Sequence, residues 1–303
     1  MSRTSHFKAD DGTRIWYRLQ GDGPTIVLCD GIGCDGYVWP YLMDAFDEDF
    51  TFVRWHYRGH GNSEEPADAQ ALSIEHLVAD LHGVLYTLSE RAGLQLPAIL
   101  IGHSMGCQVI FEYAHRHPEH VRALVPICGS FGNPLDTFQQ ADNADAGPSA
   151  FKNLLDPLLS AVERFHEPIG AIWSRTFSSR LSWMMASRTE VNAELIKRVD
   201  FLPYLKHMGR IKVTTFLRML RFAAHHSADA YLESLDFPTL VVAGRFDNFT
   251  PMRLSEQMAG RLPDASLVVL EEGGHTAPLE MPERLNEALL AFFEAKGLLP
   301  APS

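Results

Sequence analysis

A chain of 303 residues, 46% hydrophobic and 21% charged with 18 phenylalanines, can bury the core of one large domain and is too apolar to stay disordered. Its formal net charge of −12, with lysines and arginines scattered, leaves no basic stripe for nucleic acid and no basic amphipathic helix for a membrane surface. No run approaches the roughly 18 uninterrupted apolar residues of a membrane span, so no such span is expected.

In chain order, residues 5–20 alternate polar and apolar around Asp10-Asp11-Gly12 and predict a hairpin. Thr25 to Cys29 is a continuous apolar run ending at Asp30-Gly31-Ile32-Gly33, as a buried strand ends in a loop. Trp39 to Phe46 predicts a short helix, Phe50 to Trp55 a strand, and Arg58 to Ser63 the loop after it. Ser73 to Arg91 is amphipathic, with Ile74, Leu77, Val78, Leu81, Val84, Leu85 and Leu88 on one side. Pro97 to Ile101 and Val121 to Ile127 are strands flanking a helix that stops at Pro118.

From about Phe131 to Leu235 the strand rhythm vanishes. Asp156-Pro157 predicts an N-cap with proline at the first helical position, and the stretch predicts a helical insertion. Strands resume at Thr239–Gly244 and Ser266–Leu270, followed by a helix from Pro282 to Lys296. The alternation predicts an α/β fold with a mostly parallel, eight-stranded sheet flanked by helices, with sites at the carboxyl ends of the strands. The expected division is a main domain of residues 1–130 and 236–303 with a helical cap of residues 131–235 inserted between strands.

The chemistry centres on Gly102-His103-Ser104-Met105-Gly106, which follows an apolar strand and opens a helical pattern carrying Val109, Ile110, Tyr113 and Ala114. A serine at a sharp strand-to-helix turn is lifted clear of the sheet, and small glycines on both sides let the backbones pass. The same turn aims the first helix amides at the reacting centre, so the Met105 N–H can donate to a developing oxyanion. A serine needs a base and the base an orienting acid. His275, in a Gly-Gly-His loop after the strand ending at Leu270, and Asp247, after the strand ending at Gly244, are the candidates in the chain order this turn requires.

With Gly-His-Ser-Met-Gly, Arg-Gly-His-Gly-Asn-Ser, Ala-Gly-Arg-Phe-Asp-Asn-Phe-Thr-Pro and Gly-Gly-His in place, the chain resembles the α/β-hydrolase fold superfamily, of the capped, esterase-like kind. The resemblance covers residues 5–130 and 236–298 and implies nucleophile, acid and base at Ser104, Asp247 and His275. It implies a second oxyanion donor at the Ile32 N–H, after a pair that reads Asp30-Gly31 where the family has His-Gly. A carboxylate facing an oxyanion would oppose catalysis, so Asp30 is expected to point away, onto loop amides or Arg58. Cys107 stands where glycine is common in the family and is expected to fill space under the helix.

Serine at the elbow is unlike relatives resembling haloalkane dehalogenases and epoxide hydrolases, which need aspartate there. Met105 replaces the tryptophan usual in proline iminopeptidases, and Thr276 the tryptophan often found after the base in carbon–carbon bond hydrolases. The expectation is a cytoplasmic, cofactor-independent serine hydrolase acting on a small to medium apolar acyl substrate, as monomer or homodimer. A receptor-like ligand-binding member, and an acyltransferase or perhydrolase using the same residues, stay open.

Trp173, Phe177, Trp183, Met184 and Met185 are candidates for lining an acyl pocket or for packing the cap. Arg175, Arg180 and Arg188 read as a solvated face, and Asp136 as a rival acid. The 14 histidines form no convincing ligand set: His115, His117 and His120 cluster at a helix end, where the dipole accounts for them, and no metal is expected. His60 and His103 read as structural hydrogen bonders, and the four cysteines, lacking a Cys-x-x-Cys pair, as buried free thiols.

Overall fold

The computed structural model describes residues 2–137, 150–179, 182–184, 186 and 191–300. Eight strands form one sheet: β1 (Ser2–Lys8), β2 (Arg14–Gln20), β3 (Thr25–Cys29), β4 (Thr51–Trp55), β5 (Ala98–His103), β6 (Val121–Ile127), β7 (Thr239–Gly244) and β8 (Ala265–Leu270). Their spatial order is β1-β2-β4-β3-β5-β6-β7-β8. The β1–β2 hairpin pairs antiparallel with itself and with β4, and every later neighbour is parallel. Gly12, at φ +89°, makes the hairpin turn, and Asp11 Oδ1 accepts the Thr13 N–H at 2.9 Å.

The continuous apolar runs are what a strand covered on both faces needs, and β3, β5 and β7 are buried along their whole length. Alternate residues feed two cores. Val27, Leu100 and Val241 pack on one face beneath helices Ile74–Ala92, Gly106–Arg116 and Met252–Arg261 through Leu77, Val109 and Met258. Ile26, Ile99, Ile101 and Val242 pack on the other beneath Pro40–Ala45 and Pro282–Ala295 through Leu42 and Leu285. Each such side chain contributes about 1.5–3 kcal/mol by leaving water. The sheet is therefore the rigid part, and the carboxyl ends of β3, β5, β7 and β8 are fixed relative to one another.

Between β6 and β7 the described residues include the helices Pro134–Thr137, Ala150–Arg164, His166–Phe177, Arg198–Met208 and Val213–His225. Here one local expectation fails. Asp156-Pro157 does not start a helix, because Ala150–Arg164 runs straight through Pro157. Interior proline costs about 3 kcal/mol, and what offsets it is the stripe Leu155, Leu159 and Val162, buried against Val213 and Leu217 of the helix Val213–His225. Tertiary burial overrides the local start signal. Among the described residues no helix is long and apolar enough to cross a membrane.

Candidate active site

β5 delivers Ser104 at its carboxyl end, and the chain turns at once into the helix Gly106–Arg116. Ser104 holds φ +55°, a left-handed conformation that costs a non-glycine residue about 1–3 kcal/mol. Its N–H donates to Ile127 O at 3.0 Å, tying the turn to β6. Both flanking glycines are required sterically: a Cβ on Gly106 would sit 2.1 Å from Cys29 O, and one on Gly102 2.5 Å from Gly106 O. Cys107 fills the space under the helix, its Sγ 3.3 Å from Gly102 O. All four cysteines are buried and none is in a disulfide.

The loops after β7 and β8 bring the other two groups to the same edge. His275 Nε2 lies 2.9 Å from Ser104 Oγ, and His275 Nδ1 lies 2.9 Å from Asp247 Oδ2. Asp247 is fully enclosed and saturated: its Oδ1 accepts the N–H groups of Phe249 at 2.8 Å and Thr250 at 2.9 Å, and its Oδ2 the Thr250 hydroxyl at 2.7 Å. Burial pushes its carboxyl up, but His275 and the bonds from His275 and Thr250 outweigh that and hold it below the usual carboxylate range. An imidazole in reach of a hydroxyl and braced by a buried carboxylate is the geometry that general-base activation of a serine needs. The rival Asp136 has a side chain outside the described residues, and the His275 nitrogen it would have to meet is taken by Asp247.

Ile32 and Met105 both border the cavity in front of Ser104. Met105 immediately precedes the helix, where the first amides have no intrahelical acceptor. The loop carrying Ile32 is held closely: a Cβ on Gly31 would come 3.1 Å from Ser104 Cβ, and the Gly33 N–H donates to His60 Nε2 at 3.1 Å while His60 Nδ1 faces Arg58 O at 3.1 Å. Burial drives His60 down to about 3, so its ring is neutral and can accept. His103 is likewise buried and pushed down to about 3, with Nε2 2.8 Å from His275 O. Both are hydrogen-bonding frame residues.

Asp30 does turn away, but not onto Arg58. Its Oδ1 accepts the Trp39 indole N–H, and burial raises the carboxyl to about 7. Arg58 is taken: its Nε and Nη2 grip Asp80 at 2.7 and 2.6 Å and its Nη1 reaches Asp11 at 2.8 Å. With Nη1 also donating to Ala71 O at 3.0 Å, the guanidinium is committed to two other carboxylates and a carbonyl rather than to Asp30.

The cavity above Ser104 has a volume of about 320 Å³. Trp173 and Phe177 line it, and Trp183 and Met184 do not. Trp183 packs edge-on to Phe201 at 6.0 Å, and Met184 is exposed. Met185, Arg180 and Arg188 lie outside the described residues, and Arg175 is exposed. Sequence reasoning missed Tyr37, Tyr204, Met208, Phe216, Leu220 and Phe249. Phe216 and Leu220 carried a signal in their four-residue spacing, whereas Phe249 follows Asp247 and packs at a tilt against the His275 ring at 4.9 Å, which no local pattern shows. Among the described residues, no Lys, Arg, Asp or Glu lines the cavity.

His117 and His120 meet His82, with ring nitrogens within 4.8 Å, while His115 stacks on Tyr231. The three ring planes lie within 15° of parallel, with His82 stacked on His117 at 4.0 Å. A metal ion prefers the plane of each imidazole that binds it, so joint coordination by His82 and His117 would require that 4.0 Å stacked pair to reorient.

A family model described as the alpha/beta hydrolase fold matches residues 24–282. The chain belongs to the α/β-hydrolase family. Among curated relatives of this hydrolase is a putative carbamate hydrolase, RutD, from Stutzerimonas stutzeri, 29% identical over 279 residues, covering 90% of this chain and 92% of that one. Among solved structures, a bromoperoxidase from Bacillus anthracis superposes with a TM-score of 0.77 at 18% identity, covering 96% of this chain and all of that one. The esterase EaEST from Exiguobacterium antarcticum gives 0.71 at 20% identity over the same shares. At these identities the structural likeness establishes the hydrolase fold alone.

Proposed function

We propose that this hydrolase cleaves an ester-type bond of a neutral, small to medium apolar acyl substrate through an acyl-enzyme on Ser104. The observation that carries the reading is the Asp247–His275–Ser104 hydrogen-bonded line opening into a cavity whose described lining carries no Lys, Arg, Asp or Glu. His275 removes the Ser104 proton as the hydroxyl attacks the carbonyl carbon, and Asp247 holds the ring so that Nε2 faces the serine. The Ile32 and Met105 N–H groups take the oxyanion, His275 returns the proton to the leaving group, and water then attacks the acyl-enzyme with His275 again as base.

In the same reading residues 131–235 act as a cap over a main domain of residues 1–130 and 236–303, and Trp173 and Phe177 belong to the substrate pocket. The name of the RutD relatives points to a second acyl type, a carbamoyl group, and a neutral carbamate ester suits the described cavity lining, which has no Lys, Arg, Asp or Glu, as an acyl ester does. The test is turnover of p-nitrophenyl acyl and carbamoyl esters of increasing length by wild type and Ser104→Ala. Turnover by wild type that collapses in the variant supports the reading. Tight binding of the panel without turnover would point instead to a receptor-like member, and faster product release with an added alcohol or peroxide to acyl transfer.

A further inference from the structure

Glu280 plays no part in the reaction as written above, yet it is 5% exposed and makes three hydrogen bonds around the His275 loop. Its Oε2 accepts the Gly274 N–H, and its Oε1 accepts the Thr276 hydroxyl at 2.9 Å, so one carboxylate grips the residues on both sides of His275. The same Oε1 accepts the backbone N–H of Asn192 at 2.7 Å, from the helical segment between β6 and β7. Asn192 is itself braced. Its side-chain amide faces Glu272 O at 3.4 Å, its Oδ1 caps the Glu194 N–H at 3.1 Å, and its carbonyl accepts from Leu195 and Ile196. Val191 beside it is buried in the core that also holds Leu279.

We infer that Glu280 is a positioning residue that locks the His275 loop in register with Ser104 and fastens the helical segment to that loop through Asn192. The inference rests on the proposed role of His275. Three donors converge on two carboxylate oxygens with no cation among them, and a neutral amide cannot replace that. Glutamine offers one acceptor oxygen and one N–H₂ group, so at least one buried backbone N–H, from Gly274 or Asn192, would face another donor and lose its partner. The cost falls on the loop that sets a 2.9 Å contact, where a displacement near 1 Å is worth about 10²-fold in rate.

The groups facing His275 include Asp247, Phe249 and Thr250 after β7 and His103 and Ser104 at the end of β5. Glu280 places a second carboxylate behind the ring's own backbone, and an anion there favours the protonated imidazole. Its removal therefore moves His275 titration to lower pH.

The test is Glu280→Gln with two readouts: kcat and KM on the preferred ester, and the titration of the His275 ring by NMR, which needs no turnover and so stands even if the ester reading fails. The expected result is a 10- to 100-fold loss of kcat, a smaller change in KM, and a lower His275 midpoint. Catalysis within twofold of wild type with an unmoved midpoint overturns the inference. Should Glu280→Gln fail to fold, Thr276→Val removes only the hydroxyl donor. It is expected to cost a few-fold in kcat, and an unchanged kcat overturns the inference. Loss of wild-type turnover across the panel would instead count against the proposed function alone.

Discussion

The sheet and the helical segment between β6 and β7 are built on different principles. The sheet sets Ser104, Asp247 and His275 on three strand ends, each pinned by backbone hydrogen bonds or enclosed by packing on both faces. The helical segment has a small core of its own around Leu155, Leu159, Val213 and Leu217, leaves Leu154, Phe165 and Ile172 exposed, and reaches the cavity through rings such as Trp173 and Phe216. Reactive geometry resides where burial is deep and long-range. Shape of the cavity resides where burial is shallow, so the two should separate under mutation.

The largest effect should come from the sheet side. Ser104→Ala is expected to lower kcat by about 10⁴ to 10⁶, by analogy with other serine-based sets, and to leave the melting temperature near wild type. Asp247→Asn comes next, with an expected loss of about 10³ to 10⁴ in kcat, because an amide facing His275 Nδ1 favours the wrong tautomer. A change confined to KM would contradict the orienting role.

Breaking the helical side should look different. Phe216→Ala enlarges the cavity without touching the hydrogen-bonded line, so the preferred acyl chain should lengthen and KM for short esters should rise about tenfold, with kcat for long ones held within a few-fold. Steady-state kinetics along an ester series reads both. An equal collapse of kcat on all chain lengths would mean the two regions are not separable.

The smallest effect concerns the junction between them. Glu112 on the elbow helix accepts from His226 at 3.1 Å and from the Tyr231 hydroxyl, both just beyond the last helix of the segment. The bond from His226 comes first, and with those from Tyr231 and Arg116 it outweighs burial and draws Glu112 down to about 2. A carboxyl with a depressed folded pKa contributes stability above its unfolded value and loses it as pH falls through the folded one. Glu112→Gln should therefore lower the melting temperature by a few degrees at pH 6–7, with the gap closing between about pH 4.5 and 2. A gap independent of pH would show that the charge is not what matters.

The same division governs what could be read from the sequence. Strand runs such as Thr25–Cys29 and Thr239–Gly244 are short, apolar and bounded by glycine, so the sheet and the positions of Ser104, Asp247 and His275 follow from local pattern plus chain order. Asp30 was legible in direction and in its loop-amide partner, the Gly36 N–H, but not in its bond to Trp39, and the alternative of Arg58 fails because Asp80 and Asp11 reach Arg58 from distant points in the chain. In the helical segment, Pro157 signalled a start that packing overrode, and Trp183 and Met184 shared the composition of pocket residues without the placement. Helical periodicity tells which face is apolar; it does not tell which neighbour that face meets.

The central claim is that Ser104 carries the acyl group. Rapid acid quench during turnover of a slow ester, followed by peptide mass spectrometry, tests it directly. The account predicts one acyl mass on the peptide containing Ser104, absent from Ser104→Ala. Hydrolysis proceeding with no adduct, or with the adduct on another residue, would contradict it.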